Sequence, residues 1–319
     1  MTKNALLLSL MSLFLLFSCN SSDLDISSPT TPDKYQTKNV VLLVVDGPRI
    51  SETWESANQE NIPNRMNLLK KGVFISNFKN KGITFTNSGH SALCSGVYED
   101  IQNDGTELPG YPSMMQQWLK FTGVDKTKAW LIMSKDKLEV LNNCKLDLWK
   151  NKFQPSVDCG INGNGSGFRE DAVTVLNAKK IMKKYSPNMI VMNLKDVDVN
   201  GHAENWDGYL QAIKKTDASI KEIWDYIQSL PQYKDKTTLI VSNDHGRHLD
   251  GNEEGFSQHG DNCAGCRHIE FFAIGPDFKT NTVISTGDYE QIDVPSTIAE
   301  LLQFPLQYGN GKVIKSIFK

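Results

Sequence analysis

Aspartate and histidine recur in this chain directly after apolar runs. Asp46 follows the run at residues 40–45, Asp198 and His202 follow the run at 189–194, and Asp244-His245 follow the run at 238–242. Taken singly, each residue suits a turn or a surface position. Carboxylate oxygen and imidazole nitrogen together are a donor set that borderline-soft divalent ions prefer, zinc above all. Their joint recurrence predicts a metal-binding centre.

The apolar runs predict how these residues are positioned. Residues 40–45 read Val-Val-Leu-Leu-Val-Val, a continuous run that suits a strand buried on both faces of a parallel sheet. Similar strands are expected at 129–133, 189–194, 238–242 and 271–274, with helices at 111–121, 169–185, 209–230 and 294–302. The alternation predicts a layered α/β domain. Ligands collect beyond the carboxyl ends of strands in such sheets, which is where the acidic and histidine residues fall. The four-residue separation of Asp198 and His202 fits one face of a helix, and Gly201 fits a shaped loop equally well.

Composition narrows the classes of protein. The 319 residues suit one large or two modest domains, and 39% are hydrophobic against 22% charged. The formal charge of −3 excludes a strongly basic nucleic-acid binder, so no nucleic acid polymer is expected as a partner. Lys3 and the apolar stretch at 5–17 have the form of a signal-peptide core, and Leu16-Phe17-Ser18-Cys19 resembles a bacterial lipoprotein cleavage box. Residues 1–18 are therefore expected to be a lipoprotein signal peptide, with a secretory peptide cut elsewhere as the alternative. Cys19 is expected to carry the lipid that holds the chain to a membrane of the bacterial cell envelope, periplasmic or surface-facing. Residues 19–38 read as a tether, 39–319 as one domain, and 144–169 as a small insertion near the substrate entrance.

Five of the six cysteines remain once Cys19 is set aside, so an odd thiol is left over. Cys263 with Cys266 and Cys144 with Cys159 are candidate bridges, and Cys94 is the expected buried free thiol. Cys263-Ala264-Gly265-Cys266 is a weak zinc signal because no second cysteine pair follows it. The glycine-rich stretch at 162–167 lacks the lysine of a phosphate-binding loop. Trp206 is a pocket-wall candidate, whereas core packing accounts for Trp224.

Five ordered islands carry a wider resemblance: Val44-Val45-Asp46-Gly47, Thr86-Asn87-Ser88-Gly89-His90 through Ser95-Gly96, Asp198-Val199-Asn200-Gly201-His202, Ser242-Asn243-Asp244-His245-Gly246, and His259-Gly260. In order and local spacing the chain resembles the alkaline phosphatase superfamily over residues 40–276, especially its type I phosphodiesterase and nucleotide pyrophosphatase branch. The resemblance implies a layered α/β/α fold with a mostly parallel central sheet. It also implies two divalent ions, zinc by preference. Asp46, Asp244, His245 and the Thr86 oxygen would surround one ion and Asp198, His202 and His259 the other, with His248 and His268 as rivals to His259. Thr86 stands ten residues before Gly96, the slot of the nucleophile, and implies a covalent phosphothreonine that water hydrolyses. Threonine cannot become the formylglycine of conventional sulfatases. His90 and Asn103 are candidate catalytic contacts to phosphate, each with a structural alternative as a hydrogen-bonded or turn residue.

The leading expectation is zinc-dependent hydrolysis of phosphodiesters, with a nucleotide or phospholipid headgroup as a substrate class. A phosphomonoesterase is the nearest alternative, disfavoured because the islands hold no lysine- or arginine-rich clamp for an extra terminal charge. A phosphotransferase or mutase lacks the large insertion expected of several such relatives. A noncatalytic binding lipoprotein is at odds with the nearly complete nucleophile and ligand set.

Overall fold

Alternate residues of one buried strand point to opposite faces of the sheet, and this builds two cores. In the computed structural model, which describes residues 34–261 and 263–319, β1 (Asn39–Val45) sends Val40, Leu42 and Val44 into one apolar cluster and Val41, Leu43 and Val45 into the other. The expected signal peptide, the lipidated Cys19 and most of the expected tether lie outside the described residues. Among those described, no helix is long and apolar enough to cross a membrane.

The chain continues through α1 (Pro63–Leu69), β2 (Gly72–Ile75), α2 (Thr86–Ser95), α3 (Met114–Thr122), β3 (Ala129–Met133) and β4 (Ser156–Cys159). It then forms α4 (Asp171–Tyr185), β5 (Met189–Leu194), α5 (Asp196–His202), α6 (Trp206–Ser229) and β6 (Thr237–Asn243), followed by α7 (Ala264–Arg267), β7 (Phe271–Ile274), β8 (Thr282–Ile284) and α8 (Asp293–Leu301). Leu93 of α2, Trp118 and Leu119 of α3, and Val294 and Ile298 of α8 cover one face of the sheet. Leu68 of α1, Val175 and Met182 of α4, and Ile213 and Ile220 of α6 cover the other. The result is the layered α/β/α architecture with a mostly parallel sheet.

Strand order is β4-β3-β5-β1-β6-β7-β2-β8, and β7 alone runs against the others. Val45 lies level with Leu194 on one side and Asn243 on the other, so β1, β5 and β6 end together. The residues that follow these three strands are thereby gathered at one edge. The five expected strands all form. β2, β4 and β8 were not anticipated: each has only three or four residues, and a run that short carries little periodicity.

Three details differ from the sequence expectation. The stretch 144–169 contains β4, which pairs in parallel with β3, so it supplies an edge strand of the central sheet as well as loops. The expected tether ends early: the Gln36 and Thr37 amides and the Thr37 hydroxyl all donate to the Asp277 carboxylate at 2.6–2.9 Å. Cys94, Cys144, Cys159, Cys263 and Cys266 are all free thiols, so neither candidate bridge is present. Cys94 is buried, and burial pushes its thiol up to about 12.

Candidate active site

Beyond the carboxyl ends of β1, β5 and β6, Asp46, Asp244 and His245 converge, with one ligand atom from each within 4.8 Å of the others. Asp198, His202 and His259 form a second group of the same kind. Asp198 Oδ1 stands 3.3 Å from His202 Nε2 and 3.6 Å from His259 Nε2, and the two nitrogens are 3.0 Å apart. The helical alternative holds for this pair, since α5 presents Asp198 and His202 one turn apart. Gly201 in that turn leaves space for the Arg247 guanidinium, which a Cβ would approach to 2.4 Å.

Thr86 opens α2, where the positive end of the helix dipole favours an anion. Its Oγ1 lies 3.5 Å from His245 Nε2 and accepts from Lys135 Nζ at 3.3 Å. The helix comes this close because residue 89 has no side chain: a Cβ there would sit 2.4 Å from the Asp244 carbonyl oxygen.

Imidazole tautomers are set by the backbone. His245 Nδ1 donates to the Gly246 carbonyl at 2.9 Å and His259 Nδ1 to the Thr84 carbonyl at 2.8 Å, which leaves each Nε2 as a lone pair facing the carboxylates. The two rings stack with centroids 3.7 Å apart. Burial holds His245 well below the ordinary histidine range and lowers His259 to about 4, so both imidazoles are neutral at neutral pH. His268 instead donates to the Ser76 carbonyl, and His248 belongs to a separate cluster.

His90 is fully buried. Its Nδ1 donates to the Thr86 carbonyl at 2.9 Å and lies 3.2 Å from Asp244 Oδ2, while its Nε2 accepts from Asn193 at 3.1 Å. It therefore braces the first turn of α2 against Asp244. Asn103 Oδ1 accepts from the Asn87 amide at 2.9 Å, tying its loop to the first turn of α2. Trp206 is half-exposed and packs with Tyr209 and Phe256.

Four participants escaped the sequence reading. Lys135 is 2% exposed, with Nζ 2.9 Å from Asp46 Oδ2 and 2.7 Å from Asp198 Oδ2. Lys137 donates to the carbonyl and Oδ1 of Asn103 at 2.8 and 3.1 Å. Asn193 bridges Asp46 and His90, and the buried Arg247 pairs with Asp198. A signal for the lysines existed: they follow β3 as Asp46 and Asp244 follow their own strands.

The electrostatics fit a cation. Three buried carboxylates, Asp46, Asp198 and Asp244, face two buried cations, Lys135 and Arg247. Burial favours a protonated Asp198, but the Lys135 ammonium, His202 and Arg247 outweigh it and hold the carboxyl well below its usual range. Burial and the neighbouring Asp46 raise Asp244 to about 6. Asp46 Oδ1 and Asp244 Oδ2 are buried without a hydrogen-bond partner. Orphaned carboxylate oxygens beside neutral imidazoles are a donor set suited to a divalent ion.

Such a strand-end cluster on three layers defines an α/β/α protein with two candidate metal centres. Its fold is that of the alkaline phosphatase superfamily. A superfamily member from Vibrio parahaemolyticus superposes with a TM-score of 0.65 at 16% identity, covering 88% of this chain and 70% of that one. Murine ectonucleotide pyrophosphatase/phosphodiesterase 5, in an inactive threonine-to-alanine form with AMP, superposes with a TM-score of 0.64 at 14% identity, covering 88% of this chain and all of that one. A family model described as the metalloenzyme superfamily matches residues 147–305, the part that carries Asp198, His202, Asp244, His245 and His259. A 2,3-bisphosphoglycerate-independent phosphoglycerate mutase from Gracilaria tenuistipitata var. liui is 34% identical over 96 residues, 29% of this chain and 17% of that enzyme.

Proposed function

We propose that this chain hydrolyses phosphate esters with Thr86 as nucleophile, and that its preferred substrate is a phosphate monoester. The observation that carries the reading is the pair of lysines beside the nucleophile. Lys135 donates to the Thr86 hydroxyl, and Lys137 lies beyond it on Asn103. The sequence favoured diesters through its resemblance to the phosphodiesterase branch, and its motif islands held no cationic clamp; these residues supply one from outside the islands. A terminal phosphate carries a second charge that a diester lacks, so paired cations favour the monoester.

Asp46, Asp244 and His245 would hold one divalent ion and Asp198, His202 and His259 another, zinc by donor type. Bound there, such ions supply Lewis acidity to hydroxyl and phosphoryl oxygens. The chain's own residues do the rest. Lys135 donates to Oγ1 and so favours its anionic form. His90 and Gly89 fix the turn that aims it. Oγ attacks phosphorus as the opposite ester P–O bond breaks, the hydroxyl proton passes to water, and the departing oxygen takes a proton from solvent. Water then attacks the phosphothreonine, the P–Oγ bond breaks, and inorganic phosphate leaves with the hydroxyl restored. Phe85, edge-on to His259, and Phe168, with Lys135 Nζ 5.8 Å from its ring, are 40% and 44% exposed and would contact the organic group.

Rates on p-nitrophenyl phosphate, bis-p-nitrophenyl phosphate and p-nitrophenyl sulfate test this reading. Lys137→Ala is expected to lower kcat/KM on the monoester by roughly 10- to 100-fold, the worth of one charged hydrogen bond, and to change the diester rate far less. A wild-type preference for the diester, unchanged by Lys137→Ala, would return the assignment to phosphodiesterase. Formation of a phosphorylated alcohol with an added acceptor would mark a phosphotransferase.

From the apolar stretch at 5–17 and Leu16-Phe17-Ser18-Cys19 we further infer a bacterial envelope protein anchored through lipidated Cys19. Cys19→Ala is expected to move the chain from the membrane to the soluble fraction on cell fractionation. Continued membrane retention would reject the anchor.

A further inference from the structure

A third group of ligand atoms lies apart from the strand-end site. His248, Asp261, Cys263 and Cys266 each bring one ligand atom to within 4.8 Å of the others. His248 Nδ1 donates to the Glu253 carbonyl at 3.0 Å, which leaves Nε2 as the lone pair. That Nε2 is buried, has no hydrogen-bond partner, and stands 3.4 Å from Asp261 Oδ2. On the other side, Asp261 Oδ1 accepts from the Cys263 amide at 2.9 Å, and Cys263 Sγ accepts from the Cys266 amide at 3.3 Å. The cysteine pair had no second pair in sequence; the fold completes it with an imidazole and a carboxylate from the preceding segment.

We propose that these four side chains form a structural zinc site of the Cys2HisAsp type. Two sulfurs, one nitrogen and one oxygen make a closed set of four, the number and softness that structural zinc takes. Zinc binds as both thiols lose their protons to solvent, so the ligands are two thiolates, neutral imidazole and carboxylate. The site would clasp a segment with little regular structure. Between β6 and α7, the described residues contain a single short helical turn, Gly255–Ser257. Two backbone bonds, His248 amide to Gln258 carbonyl at 3.0 Å and Gly246 amide to Cys266 carbonyl at 2.8 Å, already bring its ends together. His259 lies inside this segment, so the clasp would hold that imidazole against Asp198.

Zinc content, thiol titration and cobalt substitution test the assignment on the purified chain, independently of any activity. Wild type is expected to carry about one more zinc per chain than Cys263→Ser/Cys266→Ser, and its cobalt form to show a thiolate-to-metal absorption in the near ultraviolet that the variant lacks. Equal zinc in both proteins, or a Cys263–Cys266 disulfide in the peptide map of the native chain, would overturn it. Should the double variant not fold, the cobalt spectrum of the wild-type chain decides: absence of the thiolate band rejects the site.

Discussion

Replacing Thr86 by alanine is expected to lower kcat/KM on a phosphate ester by on the order of 10⁴-fold or more, the scale of losing a nucleophile outright. The fold should survive. Among the described residues the hydroxyl makes two polar contacts, to His245 at 3.5 Å and Lys135 at 3.3 Å, and Lys135 keeps its bonds to Asp46 and Asp198 without it. Stability is therefore expected to change by less than about 1 kcal/mol. Thr86→Ser restores a hydroxyl at the same helix N-terminus and should recover much of the rate. Rapid quench with a slow substrate should trap a phosphoryl group on the peptide carrying Thr86. Activity within tenfold of wild type in Thr86→Ala would remove the threonine from the reaction and leave direct attack by water.

The second large effect concerns stability. Arg65 of α1 is 1% exposed, and its Nε donates to Asp217 Oδ1 of α6 at 3.0 Å while its Nη1 pairs with Glu270, which precedes β7. Asp217 also accepts the Asn64 and Arg65 amides at 2.8 and 3.1 Å. Arg65→Ala would leave two buried carboxylates without their cation, at a cost of about 3–5 kcal/mol. For a chain of this size that is a fall in Tm on the order of 10 °C. The deficit should depend on pH. Burial already raises Glu270 above its ordinary value and Arg65 opposes the rise, so removing Arg65 raises it further. A carboxyl with a raised folded pKa favours the folded state at low pH and loses that contribution as pH climbs through the folded value. The gap between Arg65→Ala and wild type is thus expected to be small in acid and to widen toward neutral pH. Thermal melts from acid to neutral pH measure it directly; a gap independent of pH would mean that the lost packing of the arginine stem, not its charge, sets the cost.

Much of the site was legible because its residues announce themselves locally. Asp46, Asp198 and Asp244 each follow an apolar strand, and strand ends are where an open sheet exposes backbone and side chains to a ligand. Thr86 and His259 needed the resemblance, since nothing in their immediate surroundings marks them. Lys135 and Lys137 were passed over although they obey the same strand-end rule. A lysine after a strand reads as a solvated residue, and only the three buried carboxylates around Lys135 make it part of the site.

Continuous apolar runs can be satisfied only by strands covered on both faces, so the layered fold and its five principal strands follow from hydrophobic burial in the sequence itself. Donor chemistry is likewise intrinsic: carboxylates and imidazoles predict a divalent ion wherever they meet. Where they meet is a matter of register. Val45, Leu194 and Asn243 lie level across three strands far apart in sequence, and that alignment sets Asp46, Asp244 and the start of α5 side by side. The reversed β7, the Arg247–Asp198 pair and the His248, Asp261, Cys263 and Cys266 group depend on the same long-range packing. Local sequence specifies what each segment buries and which atoms it can offer; distances between segments are set only when the two cores close.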